Sequence, residues 1–205
     1  MPTVQLPMFP LGSVLFPHAP LPLHVFEMRY RALVEHCLAT EPEFGVVLIE
    51  RGSEVGGGDV RFDVGTLARI VELGSLADGR FVLVTVGVRR LRVRAWLPED
   101  PFPQAEVEWL ADGPAMPNLD AEVSATGKRL RRALALRAEL GEPATVPDAL
   151  DPDPAVASFQ VAALAPIGPL DAQRVLAIDA PRDRLRLLAD LLADAIEVLE
   201  ARLGG

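Results

Sequence analysis

Five prolines fall within residues 6–30, LPMFPLGSVLFPHAPLPLHVFEMRY, at Pro7, Pro10, Pro17, Pro20 and Pro22. Each fixes φ and removes a backbone donor, so this stretch can form only short extended pieces, edge pairings and turns. No regular helix can start until Pro22 has passed. From Phe26 the period changes: Phe26, Tyr30, Leu33, Val34, Cys37 and Leu38 recur at the spacing of one helical face. This predicts a helix from about Glu27 to Thr40, stopped by Pro42 for the steric reason that applies to any residue before proline.

Beyond the helix, FGVVLIE at 44–50 is a nearly continuous apolar run and reads as a strand covered on both faces. After the glycines at 56–58, strand patterns resume at Arg61–Phe62, at Thr66–Leu73 and from Arg80 to Trp96, the last broken near Gly87 by a bulge or bend. Ala77-Asp78-Gly79 is the hairpin between two of these strands. AEVEWLA at 105–111 alternates with period two and closes the strand set. The segment DGPAMPN at 112–118 marks a boundary, and the chain then turns helical. Helices are expected from about Leu119 to Leu140, Pro154 to Leu164 and Leu170 to Ile178. A last one starts near Asp179 as its cap, with Pro181 in the first turn.

Half of the 205 residues are hydrophobic and 24% are charged, enough apolar material for a sizeable core and too ordered a composition for general disorder. The formal net charge is −9 and aromatics are 5%, which argues against nucleic-acid binding through either a basic field or a stacking platform. The single cysteine, Cys37, excludes an internal disulfide and any multi-cysteine metal site, and its place on the apolar stripe predicts a buried thiol. The N-terminus has no basic segment followed by an apolar run, so the expected location is cytoplasmic, with no membrane partner.

The search for chemistry returns negatives. ATGKRL at 125–130 lacks the first glycine and the hydroxyl of a phosphate-binding loop, and EVGGGDV fails dinucleotide spacing and leads into a strand. His18, His24 and His36 are too scattered for a metal pattern, and His36 and Cys37, adjacent on a helix, point about 100° apart and cannot act as base and nucleophile. No catalytic, cofactor-binding or metal residues are therefore assigned. Three groups could recognise a ligand. Glu27, Arg29, Tyr30 and Arg31 either bind a charged peptide end or tie the helix start to the proline-rich loop. Arg90, Arg92 and Arg94 alternate with apolar residues and are expected on the outer face of one strand. For Phe16, Leu21 and Leu23, core packing and an exposed groove are both open.

LPMFPL, VLFP, LPLHVFEMRYRALVEHCL and FGVVLI together resemble the opening of the Lon-type N-terminal domain, the substrate-binding module at the front of Lon proteases, which also occurs in cereblon and in short free-standing bacterial proteins. VGTLARIVELGSLADGRFVLVTVGVRRLRV is similar to the middle strands of that module, and Leu170, Gln173 and Leu176 before a long terminal helix are similar to its helical part. The resemblance implies an α+β fold: a PUA-like β pseudo-barrel in residues 1–111, a linker at 112–117 and a helical subdomain at 118–205 packed on the barrel. It implies a non-catalytic module without cofactor that binds exposed apolar segments of unfolded or partly unfolded proteins, an adaptor in protein quality control with a protease supplied in trans. The ATPase and Ser-Lys protease parts of Lon are not expected in a chain of this length. Phe16, Leu21, Leu23, Arg90 and Arg92 are the candidate polypeptide-binding residues. The rival reading is a PUA-like nucleic-acid binder, with phosphate contacts from Arg90, Arg92, Arg94, Arg129, Arg131 and Arg132.

Overall fold

The computed structural model describes residues 3–52, 60–113 and 118–204. The glycines at 56–58 and residues 114–117 of the proline- and glycine-rich boundary lie outside the described residues. The chain forms two compact units, Met1–Ala111 and Asp112–Gly205.

The first unit comprises β1 (Val4–Leu11), β2 (Pro20–Val25), α1 (Met28–Ala39), β3 (Glu43–Arg51), β4 (Val60–Ser75), β5 (Phe81–Trp96) and β6 (Gln104–Trp109). The strands form one sheet in the order β2-β5-β4-β3-β1-β6, and β5 also pairs with β6, which closes most of the sheet into a pseudo-barrel. All pairings are antiparallel except β1 with β3. Neighbouring residues along a strand separate into two cores, as the alternation of side chains requires. Met8, Val47 and Leu67 join Leu91, Val93, Ala105 and Val107 in one; Phe9, Val46 and Ala68 join Phe44, Leu83 and the buried face of α1 in the other. That is why the β3 run is apolar at nearly every position.

The buried face of α1 is Tyr30, Leu33, Val34 and Cys37, with Tyr30 stacked on Phe9 at 4.0 Å between ring centroids. The expected stripe is too long at both ends, since Phe26 precedes the helix and is exposed, and Leu38 is also exposed. Cys37 is fully buried and its thiol donates to the carbonyl of Glu43 at 3.3 Å. Burial pushes the thiol up to about 12. A thiol-specific reagent at about pH 8 should accordingly leave the folded protein unmodified and label Cys37 only once denaturant unfolds the chain. The raised value contributes stability that is fully present below the unfolded thiol range of about 8.5 and is lost as the pH rises through about 12.

β4 and β5 run on as single strands of 16 residues where shorter pieces were expected. Register shifts between Leu67 and Ala68 and between Ile70 and Glu72 let them curve without breaking. At the first shift Val88 is the extra residue, since Leu67 lies opposite Arg89 and Ala68 opposite Gly87. The break predicted near Gly87 is thus a bulge. The residue accepts from His18 N–H at 2.8 Å and donates to the Ala19 carbonyl at 3.0 Å, and the Phe16–Pro17 backbone lies directly against its α-carbon.

That bond fixes the orientation of β2. With the carbonyl of Ala19 facing β5, those of Leu21, Leu23 and Val25 follow by alternation, and Pro20, Pro22 and His24 face the other way. Among the described residues β2 pairs only with β5, so its outer edge shows three carbonyls and a single N–H, that of His24.

The second unit comprises α2 (Asp120–Glu139), α3 (Pro154–Leu164), α4 (Pro169–Leu176) and α5 (Pro181–Gly204). α3 begins with Asp153 accepting from Ala155 N–H at 2.8 Å and with Pro154 in its first turn. α5 begins at Pro181, so the residue before it is Ala180, one position past the expected Asp179, whose carbonyl accepts from Gly113 N–H. Ion pairs Glu122–Arg182 at 3.7 Å and Arg132–Glu200 at 2.9 Å show α2 and α5 side by side and parallel. Arg184 is fully buried between α3 and α5, donating to Ser158 Oγ at 3.0 Å, to Asp112 at 3.3 Å and to the carbonyls of Ile178 and Asp179.

Candidate functional site

The five residues proposed from sequence are not brought together. Phe16 is 3% exposed and belongs to the core, the first of the two readings left open for it. Leu21 and Leu23 are half-buried on β2 and pack against the α1 core. Arg90 is 1% exposed, which corrects its expected place on a solvated strand face. The cause is tertiary: the chain leaving β6 crosses over it, with Leu110 N–H donating to the Arg90 carbonyl at 3.1 Å and Arg90 Nη2 donating to the Ala111 carbonyl at 2.8 Å. Arg92 lies 3.5 Å from Asp63, and Arg94 pairs with Glu108 at a second bulge between Val93 and Ala95. The three arginines therefore do not form one row of free cations.

The polar cluster at the helix start performs the structural task, with a different partner from the one expected. Arg29 bonds Glu27 at 3.2 Å and Glu99 at 2.7 Å, in the connection between β5 and β6, and its guanidinium lies 4.4 Å from the centre of the Tyr30 ring. Burial disfavours its charge, but the bond to Glu99 and the nearby Tyr30 and Glu27 outweigh that and hold its pKa above the ordinary value. Glu99 also receives Arg61 at 3.5 Å. The start of α1 is thus clamped from below, and its outer side is left as an apolar platform.

On that platform Phe26 is 54% exposed and Met28 is 83% exposed. His24 meets the Phe26 ring edge-on at 6.2 Å. Beside them a cleft of about 180 Å³ opens among Pro22, Leu23, His24, Phe26, Glu27 and Tyr30, floored by Phe9 and Leu11 of β1. Small-molecule sites run to about 300–1,000 Å³, so this one has room for a side chain and little more. Met28 could have been found from sequence, since it is a large apolar residue two positions from Tyr30 and off the buried stripe.

A larger cleft of about 610 Å³ lies in the second unit, around Pro166, Ile167, Leu191 and Val198. Its charged rim is largely self-neutralised. Glu142 takes bonds from Arg137 at 2.9 Å and Arg202 at 2.8 Å, and those bonds, Arg137's first, hold its carboxyl below the usual range. Among the described residues no group of three or more His, Cys, Asp or Glu could hold a metal ion, and no helix is long and apolar enough to cross a membrane.

The family model for the ATP-dependent protease La (LON) substrate-binding domain matches residues 5–194. The chain is 30% identical over 200 residues to a Lon protease of Anaeromyxobacter dehalogenans and 30% identical over 200 residues to Lon protease 2 of Myxococcus xanthus, in each case over 95% of this chain and 24% of the relative. It spans about a quarter of the length of these relatives. Among solved structures it is similar to a Lon N-terminal domain protein from Xanthomonas campestris, with 32% identity, a TM-score of 0.67 and coverage of 90% of this chain and 96% of that one. The N-terminal domain of Mycobacterium avium complex Lon protease shares the fold at 18% identity and a TM-score of 0.63, over 93% and 99% of the two chains. The α+β class, a PUA-like pseudo-barrel followed by helices, is the one expected.

Proposed function

Since this chain belongs to the LON substrate-binding domain family, we propose that it is a non-catalytic module that captures exposed apolar segments of unfolded polypeptides on the platform of Phe26, Met28 and Leu23. The observation that carries this reading is the pair of large apolar side chains standing in solvent beside a side-chain-sized cleft, on a helix start held rigid by Arg29. A bound segment would bury Phe26 and Met28 and place one apolar side chain in the cleft. Each buried large side chain contributes roughly 1.5–3 kcal/mol before ordering costs are subtracted. Binding of this kind is weak and reversible, as suits a module that samples many polypeptides. Leu21 is retained as a flank of the site; Phe16 and Arg90 act from the interior, by holding β2 and β5 in place. The role fits an adaptor that presents clients in the cytoplasm to a protease supplied in trans, and the acidic chain with its paired strand arginines disfavours the nucleic-acid alternative.

The test is the double variant Phe26→Ser/Met28→Ser, measured for binding to a reduced and carboxymethylated, permanently unfolded protein. Both positions are exposed, so the unfolding free energy should change by no more than the roughly 0.5 kcal/mol typical of surface changes. Binding should weaken by about tenfold or more, the loss of some 1.4 kcal/mol. A folded double variant that binds the unfolded protein as wild type does would remove this platform as the site.

A further inference from the structure

A second surface, in the helical unit, is built for a different ligand. Glu122, Ala125, Thr126 and Arg129 of α2 and Arg182, Leu185, Arg186 and Ala189 of α5 line a groove of about 170 Å³. Both sets recur at i, i+3, i+4 and i+7, so they are two matching stripes along parallel helices. Ala125, Thr126, Leu185 and Ala189 form a floor of mostly small side chains. The rims are basic, in a chain whose net charge is −9. Arg182 is held by Glu122 at one end, and Arg132 by Glu200 farther along. Among the described residues, Arg129 and Arg186, both exposed, make no ion pair, and Lys128 and Arg131 stand exposed on α2 nearby. Asp183 and Asp190, the acids nearest Arg186 on its own helix, make none either. From Glu122 to Arg129 the groove is about 10 Å long, the rise of some two helical turns.

We infer that this groove docks about two turns of a partner's amphipathic helix, with an apolar stripe seated on the Ala125–Ala189 floor and acidic residues on its flanks. The small floor lets a third helix approach closely, and Arg129 and Arg186, one on each rim, take carboxylates on both sides of the stripe. Charge complementarity selects the flanks: a basic helix of equal hydrophobicity meets like charge on both rims. It shares no residue with the platform around Phe26, so the two can be tested by separate variants.

The experiment uses the full chain and fluorescently labelled designed peptides of about three to four turns. One carries a leucine stripe flanked by glutamates and a second the same stripe flanked by lysines; an oligodeoxythymidine serves as a non-protein anion. Fluorescence anisotropy at about 150 mM salt, where long-range charge effects are screened, should show saturable binding of the glutamate peptide and at least about tenfold weaker binding of the lysine peptide. Arg129→Glu/Arg186→Glu should reduce glutamate-peptide affinity by about tenfold or more. Ala125→Trp, which fills the floor from an exposed position, should do the same with the charges intact. Equal binding of the two peptides, no binding of the glutamate peptide at about 100 µM, or affinity that both folded variants leave unchanged would overturn the proposal. Binding of the oligonucleotide in place of the peptide, lost in the arginine variant, would overturn it in favour of a nucleic-acid site.

Discussion

Gly87→Ala is expected to destabilise the strand-rich unit by about 3 kcal/mol or more, at the upper end of what overpacking a core costs. A β-carbon at this position would fall on the carbonyl oxygen of Phe16 and lie 2.9 Å from the carbonyl carbon. Those atoms are backbone, and they cannot rotate aside as a side chain could. Retreat would break the two bonds by which residues 18 and 19 hold Gly87, and would lift Phe16 out of the core. Gly74→Ala on β4 is the control, since its nearest neighbour would be the Val82 carbonyl oxygen at 3.8 Å, an ordinary contact. Chemical denaturation of both variants decides the matter; equal midpoints would show that the chain at 16–19 is free to move.

Arg184→Ala should cost the helical unit about 2–5 kcal/mol, the range for cutting a large buried side chain back to alanine, with hydrogen-bond partners left behind. The guanidinium stacks at 3.9 Å over the ring of Phe159 and serves Ser158, Ile178 and Asp179 at once. Its carboxylate partner, Asp112, is 44% exposed and can turn to water, so most of the loss falls on the hydroxyl and carbonyls left behind. Arg184→Lys should recover little of the stability, because a single ammonium on a flexible stem cannot lie flat on Phe159 while reaching both Ser158 and the carbonyls. Full recovery in the lysine variant, read from thermal melting, would mean that the charge alone is what the site requires.

Features that depend on local chemistry could be read along the chain. The prolines placed β2 at an edge, the apolar run of β3 reported cover on both sides, and Gly87 announced a bulge because a bend without a side chain was needed there. The misreadings of Arg90 and Arg29 share one cause, distance along the sequence, and that of Phe26 is a helix boundary. Period two put Arg90 on an outer face, and nothing local to β5 reports that residues 110–111 cross over it. Phe26 fits the helical stripe by number, yet it precedes the first turn and so points elsewhere. Arg29 was expected to hold the neighbouring loop, whereas its partner Glu99 lies 70 positions away. The Arg129–Arg186 groove was invisible for the same reason, since its rims come from helices 57 residues apart in the chain, 186 − 129.

The outer edge of β2 also bears on how copies of this protein behave in a crowd. An open strand beside an apolar platform would ordinarily invite a second copy to zip along it. Two such edges brought together here would set oxygen against oxygen at Pro20 and Pro22, with one amide hydrogen per copy to offer in return. The same prolines that shape the opening of the chain thereby let a sticky surface stay open in a concentrated solution of itself.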